Sequence, residues 1–139
     1  MLKNIFPLLL TAFALTGCLS QDQVDVKMLK GCEAGINSLI SPSEIGEIKT
    51  KNYSDEDVNN NLHRRITIEA IEKDGWLELD KTYSCLFMQE WGIFSSSHKA
   101  LLVQTTIDDE TIGNIDGHVI GGFEEFLKLT DVVDKAMGQ

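Results

Sequence analysis

The sequence predicts a small α+β domain: an N-terminal helix, a three-stranded antiparallel sheet and a C-terminal helix. Two patterns carry this. Apolar residues recur at steps of three and four near both ends, while the middle holds runs that alternate apolar and polar. A third observation is size: 139 residues with 42% hydrophobic content allow one core and no second domain.

Residues 1–17 read as an export signal. A positive n-region, Met1-Leu2-Lys3-Asn4, precedes an apolar run from Ile5 to Leu15 and small residues at Thr16-Gly17. The run is about half of the roughly 20 residues needed to cross a bilayer. Leu15-Thr16-Gly17-Cys18 resembles the lipobox of bacterial lipoprotein precursors. The resemblance implies cleavage before Cys18 and a lipid chain on its thiol and new N-terminus. It covers the signal alone. Residue 19 is Leu rather than Asp, which by resemblance to enterobacterial sorting implies the outer membrane, facing the periplasm or the cell surface. Residues 18–23 are then the lipidated cysteine and a short tether, and residues 24–139 the single domain.

From Asp25, the residues Leu29, Cys32, Ile36, Leu39 and Ile40 lie on one helical face, stopped by Ser41-Pro42. Glu47–Thr50 is a candidate short edge strand. Tyr53–Asn61, with Asp55-Glu56-Asp57 and Asn59-Asn60-Asn61, has the composition of a solvated loop. Arg65–Ala70 alternates as a half-buried strand, and Asp74-Gly75 marks a turn. Trp76–Asp80 is loop or strand end. Tyr83, Cys85 and Phe87 form one face of the second strand. Trp91–His98 is a connector, and Ala100–Ile107 a third strand closed by Asp108-Asp109-Glu110. Thr111–Gly122, with four glycines, resists assignment. Phe123, Phe126, Leu127, Val133 and Met137 describe the second helix, with Glu124 and Glu125 in its first turn and Gly138 as C-cap.

With Cys18 taken by lipid, Cys32 and Cys85 remain. An oxidising periplasm makes a disulfide between them the expectation. No CxxC occurs, and two thiols alone do not complete a zinc site.

The remaining chemistry is sparse. A charge of −10 at pH 7 excludes nucleic acid, which needs Lys and Arg against phosphate, and excludes attachment to anionic lipid by a basic patch. His63, His98 and His118 lack metal-ligand spacing and read as scattered surface residues. Asp55, Asp57 and Asn59 match the start of a calcium loop, but Asn60 and Ile66 stand where Gly and Glu are required. The glycines match no phosphate-binding motif, and GxSxG, SxxK and HExxH are absent. No catalytic residue, metal or cofactor is assigned.

Aromatic residues carry the one positive hint. Trp91, Ile93 and Phe94 in the connector, with Trp76 after a turn, are candidate interaction residues; the competing reading buries them in the core. The expected function is that of a lipid-anchored envelope protein acting as a non-enzymatic binding module for an envelope or extracellular protein, in one version an inhibitor of a basic enzyme. A structural lipoprotein joining an envelope complex through its free sheet edge is the alternative, and a small hydrolase without a recognisable motif the third.

Overall fold

The computed structural model describes residues 17–139, so the expected signal, apart from Gly17, lies outside the described residues. Helix α1 runs from Gln21 to Ile40. Its start is set by a reciprocal cap: the Gln23 N–H donates to Ser20 Oγ, and the Ser20 N–H donates to Gln23 Oε1. The helix therefore begins inside the segment expected to be a tether, and Leu19 already packs against the core. Its buried stripe holds Val24, Met28, Leu29, Cys32 and Ile36.

Among the described residues the sheet has six antiparallel strands rather than the three expected. They are β1 (Glu44–Val58), β2 (Asn61–Asp74), β3 (Leu77–Trp91), β4 (His98–Ile107), β5 (Glu110–Ile115) and β6 (His118–Ile120), in spatial order 1-2-3-4-5-6. The expected three are the inner strands β2, β3 and β4. What composition hides is β1, whose residues pair with β2 from Glu44 opposite Lys73 to Val58 opposite Asn61. An edge strand is held by main-chain bonds, and most of its side chains meet water, so no apolar alternation marks it. Two of the three acids in its run are paired across the ladder. Asp55 bonds Arg64 at 3.0 Å and Glu56 bonds Arg65 at 2.6 Å, which turns a supposed loop into a cross-strand ion pairing.

Asn59 and Asn60 both take positive φ and close β1 onto β2 in a two-residue turn, and Asp116-Gly117 does the same between β5 and β6. Gly113 explains part of the unassigned stretch. A Cβ there would stand 2.2 Å from the Val103 carbonyl, so only glycine lets β5 approach β4.

Both helices cover one face of the sheet. Cys32 on α1 and Cys85 on β3 are disulfide-bonded across this interface, with Cα atoms 5.8 Å apart. Helix α2 (Phe123–Met137) packs antiparallel on α1 at Gly31 and Gly35, whose missing side chains admit Met137, Val133 and Leu129. That contact rotates the buried stripe away from the one the sequence suggests. Leu129, Val133 and Met137 are buried, whereas Phe123 and Leu127 are exposed.

Candidate functional site

The four candidate aromatic and aliphatic residues fall at opposite ends of β3. Hairpin β2–β3 closes through Gly75 and Trp76, with Gly75 supplying positive φ at the first loop position. Trp76 is 94% exposed. Leu77 and Leu79 share the parity of Tyr83 and Cys85, so they lie on the helix side of the sheet, yet both are exposed because the hairpin overhangs the helices. One tip thus presents an indole above two leucines.

The other end is the connector between β3 and β4. A 3-10 turn over Ile93–Ser95 leaves Ile93 79% and Phe94 89% exposed. Trp91 is exposed to a lesser degree, at 38%, its ring set edge-on to His98 at 4.6 Å. Phe94 (φ 55, ψ 32) is left-handed, a conformation that costs a residue with a Cβ about 1–2 kcal/mol. The turn is tied to the start of the chain, because the Leu19 N–H donates to the Ser95 carbonyl at 2.9 Å. Cys18, exposed and outside any disulfide, follows directly from that bond. With roughly 3.3 Å of rise per residue along β3, the two tips are on the order of 45 Å apart.

The histidines are not the surface residues the sequence suggests. His63 is buried on the sheet face away from the helices, with Nδ1 against the Asn61 carbonyl at 2.8 Å. It lines a cavity of about 420 Å³ with Met88, Leu101, Val103 and Ile115. His98 is half-buried, and its Nε2 meets Gln89 Oε1 at 2.9 Å; that oxygen also accepts from Gln21. Gln89 Oε1 can only accept, so Nε2 carries the proton and the buried Nδ1 is left without a partner. Burial, helped by the nearby Lys27 ammonium, holds the His98 pKa below the usual histidine range. Only His118 is an exposed histidine.

Between the helix layer and the β1–β2 hairpin lies a mostly buried ion network. Arg64 donates through Nε and Nη2 to both oxygens of Asp25 on α1 (3.0 and 2.7 Å) and through Nη1 to Asp55. Gln21 adds a bond to Asp25 at 2.8 Å, and Tyr53 offers its ring to the guanidinium. Every member faces another member, so the network pins α1 to the sheet and offers no open position to a ligand.

Along the sheet edge, β5 pairs with β4 only from Gln104 to Ile107. The earlier half of β4 has β3 on one side and, among the described residues, no strand on the other. Gln139 fills part of that gap, its side-chain amide bonding both the N–H and the carbonyl of Ala100. Leu101–Val103 is left lining the cavity.

Among the described residues no group of three His, Cys, Asp or Glu is placed to hold a metal ion, and no helix is long and apolar enough to cross a membrane. Comparison of the chain with protein-family models, curated proteins and solved structures gives no match.

Proposed function

We propose that this chain is a lipid-anchored, non-catalytic protein-binding module of the bacterial cell envelope, which presents the β2–β3 hairpin to its partner. The observation that carries the reading is Trp76. A two-residue loop holds a large aromatic side chain almost wholly in water, above Leu77 and Leu79, at the tip of the long β2–β3 hairpin. Tryptophan is among the residue types enriched at the hot spots of protein interfaces. The acidic chain favours a basic partner through steering. Cys18 is exposed at the other end, and a lipid on it would leave the hairpin facing away from the point of attachment.

The test is affinity capture from envelope extract with wild type and Trp76→Ala. A partner held by the hairpin is lost from the variant, with affinity down about 30-fold or more for a hot spot of 2 kcal/mol, while the melting curve stays that of wild type. Equal capture by both proteins overturns the reading. Fatty-acid labelling of wild type and Cys18→Ser tests the anchor separately: label on the Ser variant refutes it.

The assembly reading has one observation in its favour, the unpaired half of β4 at Leu101–Val103. A partner strand adding there would displace the Gln139 cap. Capture of an integral complex that survives Trp76→Ala but fails with Val103→Pro would favour this second reading.

A further inference from the structure

We infer that the Ile93–Ser95 turn is a membrane-contact element: Ile93 and Phe94 insert into the same bilayer interface that receives the lipid on Cys18. The inference rests on the lipid-anchor reading and adds what it lacks, an orientation for the domain. Three observations converge. The first is proximity without a tether. Leu19 is bonded to Ser95 and Ser20 caps α1, so no free chain separates Cys18 from the folded domain. A lipid on Cys18 therefore brings the 3-10 turn to the membrane surface with it. The second is charge. The chain carries 22 acidic residues, yet none lies in Trp91–Ser97 or in Gly17–Gln21, the two stretches that meet here. An acidic side chain at this place would be repelled by anionic headgroups and would be costly to strip of water. The border is mixed, with Lys27 and Lys99 on one count and the exposed Asp22 and Glu90 on the other, and the Lys27 ammonium donates to the His98 carbonyl. The third is the shape of the turn. Phe94 and Ser95 both hold positive φ, and the turn leaves two large apolar side chains, Ile93 and Phe94, exposed side by side. An aromatic beside an aliphatic residue at a lipid attachment point is suited to the headgroup–acyl boundary.

The acylated full chain, reconstituted in phosphatidylethanolamine–phosphatidylglycerol vesicles with brominated acyl chains, tests this. With Cys18 acylated and Cys32–Cys85 bonded, Phe94→Cys supplies a single thiol for an environment-sensitive fluorophore, and Glu78→Cys places the same probe on the far hairpin. Both positions are exposed, so both labelled proteins should melt like wild type. The expected result is quenching at position 94 several-fold above that at position 78. Equal, weak quenching in protein whose mass shows the Cys18 lipid overturns the inference and leaves the anchor standing. A probe at position 94 that is shielded from aqueous iodide but untouched by bromolipid overturns it in favour of a protein cover or a second copy. A mass without lipid on Cys18 removes the anchor and the inference together.

Discussion

At the residue scale, two positions place geometry against intrinsic preference. Phe94 keeps a left-handed backbone that glycine adopts freely, and its side chain touches little. Phe94→Gly should therefore leave folding stability unchanged or raise it by about 1 kcal/mol, read in urea unfolding. A loss beyond about 1 kcal/mol would mean that the ring packs on the domain. Gly35 is the opposite case. Alanine is favoured over glycine in a helix by about 1 kcal/mol. Here a Cβ would lie 2.7 Å from Val133 Cγ2 and 3.0 Å from Leu129 Cδ1, both buried. Val133 is stiff at χ1, so it cannot swing aside cheaply. Overpacking of about 1–3 kcal/mol outweighs the propensity gain, and Gly35→Ala should destabilise. A thermal melt at or above that of wild type would show that the helices separate without cost.

At the element scale, the disulfide is the covalent link between α1 and the sheet. It closes a separation of 53 residues, for which loop entropy suggests about 4 kcal/mol. The Cys32→Ala/Cys85→Ala protein should lose most of that, lowering the melting temperature by more than about 10 °C. The Arg64–Asp25 network should keep the start of α1 in place when the bond is gone, so amide exchange should rise first around Cys32 and Ile36. Exchange that rises first at Val24 and Asp25 would assign the greater share to the disulfide. The β2–β3 hairpin obeys different physics: its outer turn overhangs the helices, so it is held by the ladder and by cross-strand pairs such as Lys49–Asp80, and substitution at Trp76 should leave folding little changed.

At the scale of the whole molecule, pH dependence divides into windows. Burial and the nearby Lys27 ammonium lower the His98 pKa, so the native state resists taking up a proton that the unfolded chain accepts near 6.5. Stability should decline as pH falls below that value and level off beneath the native pKa. The Arg65 guanidinium lowers the Glu56 pKa, and the Lys81 ammonium with the Thr82 N–H lowers that of Asp108. Their contribution is present above the ordinary carboxylate range and is lost as pH falls below about 4. Tyr83 moves the other way. Burial and its bond to Glu72 raise the phenol pKa, so stability should fall as pH rises above 10. Urea midpoints across pH check this, and His98→Gln should remove the step nearest neutrality. A step that persists in the variant belongs to another group.

Much of this architecture is local and was legible in the chain. The 3.6-residue periodicity marks both helices, alternation marks the inner strands, and Cys32 and Cys85 pair because the expected lipid site leaves no other thiol. Signals for the remainder were weaker: the Ser20–Gln23 capping box, the Asn59-Asn60 turn and the glycine opposite the β4 bulge near Val103. The outer strands escaped because main-chain pairing has no side-chain signature, and an acidic run looks like a loop until Arg64 and Arg65 stand beside it. The exposure of Ile93 and Phe94, the lesser exposure of Trp91 and the separation of Trp76 from all three were decided by the tertiary structure. So was the contact of Leu19 with Ser95, which joins residues far apart in sequence. Sequence pattern determines which face of an element is buried; only the paired sheet determines which ends of the elements meet.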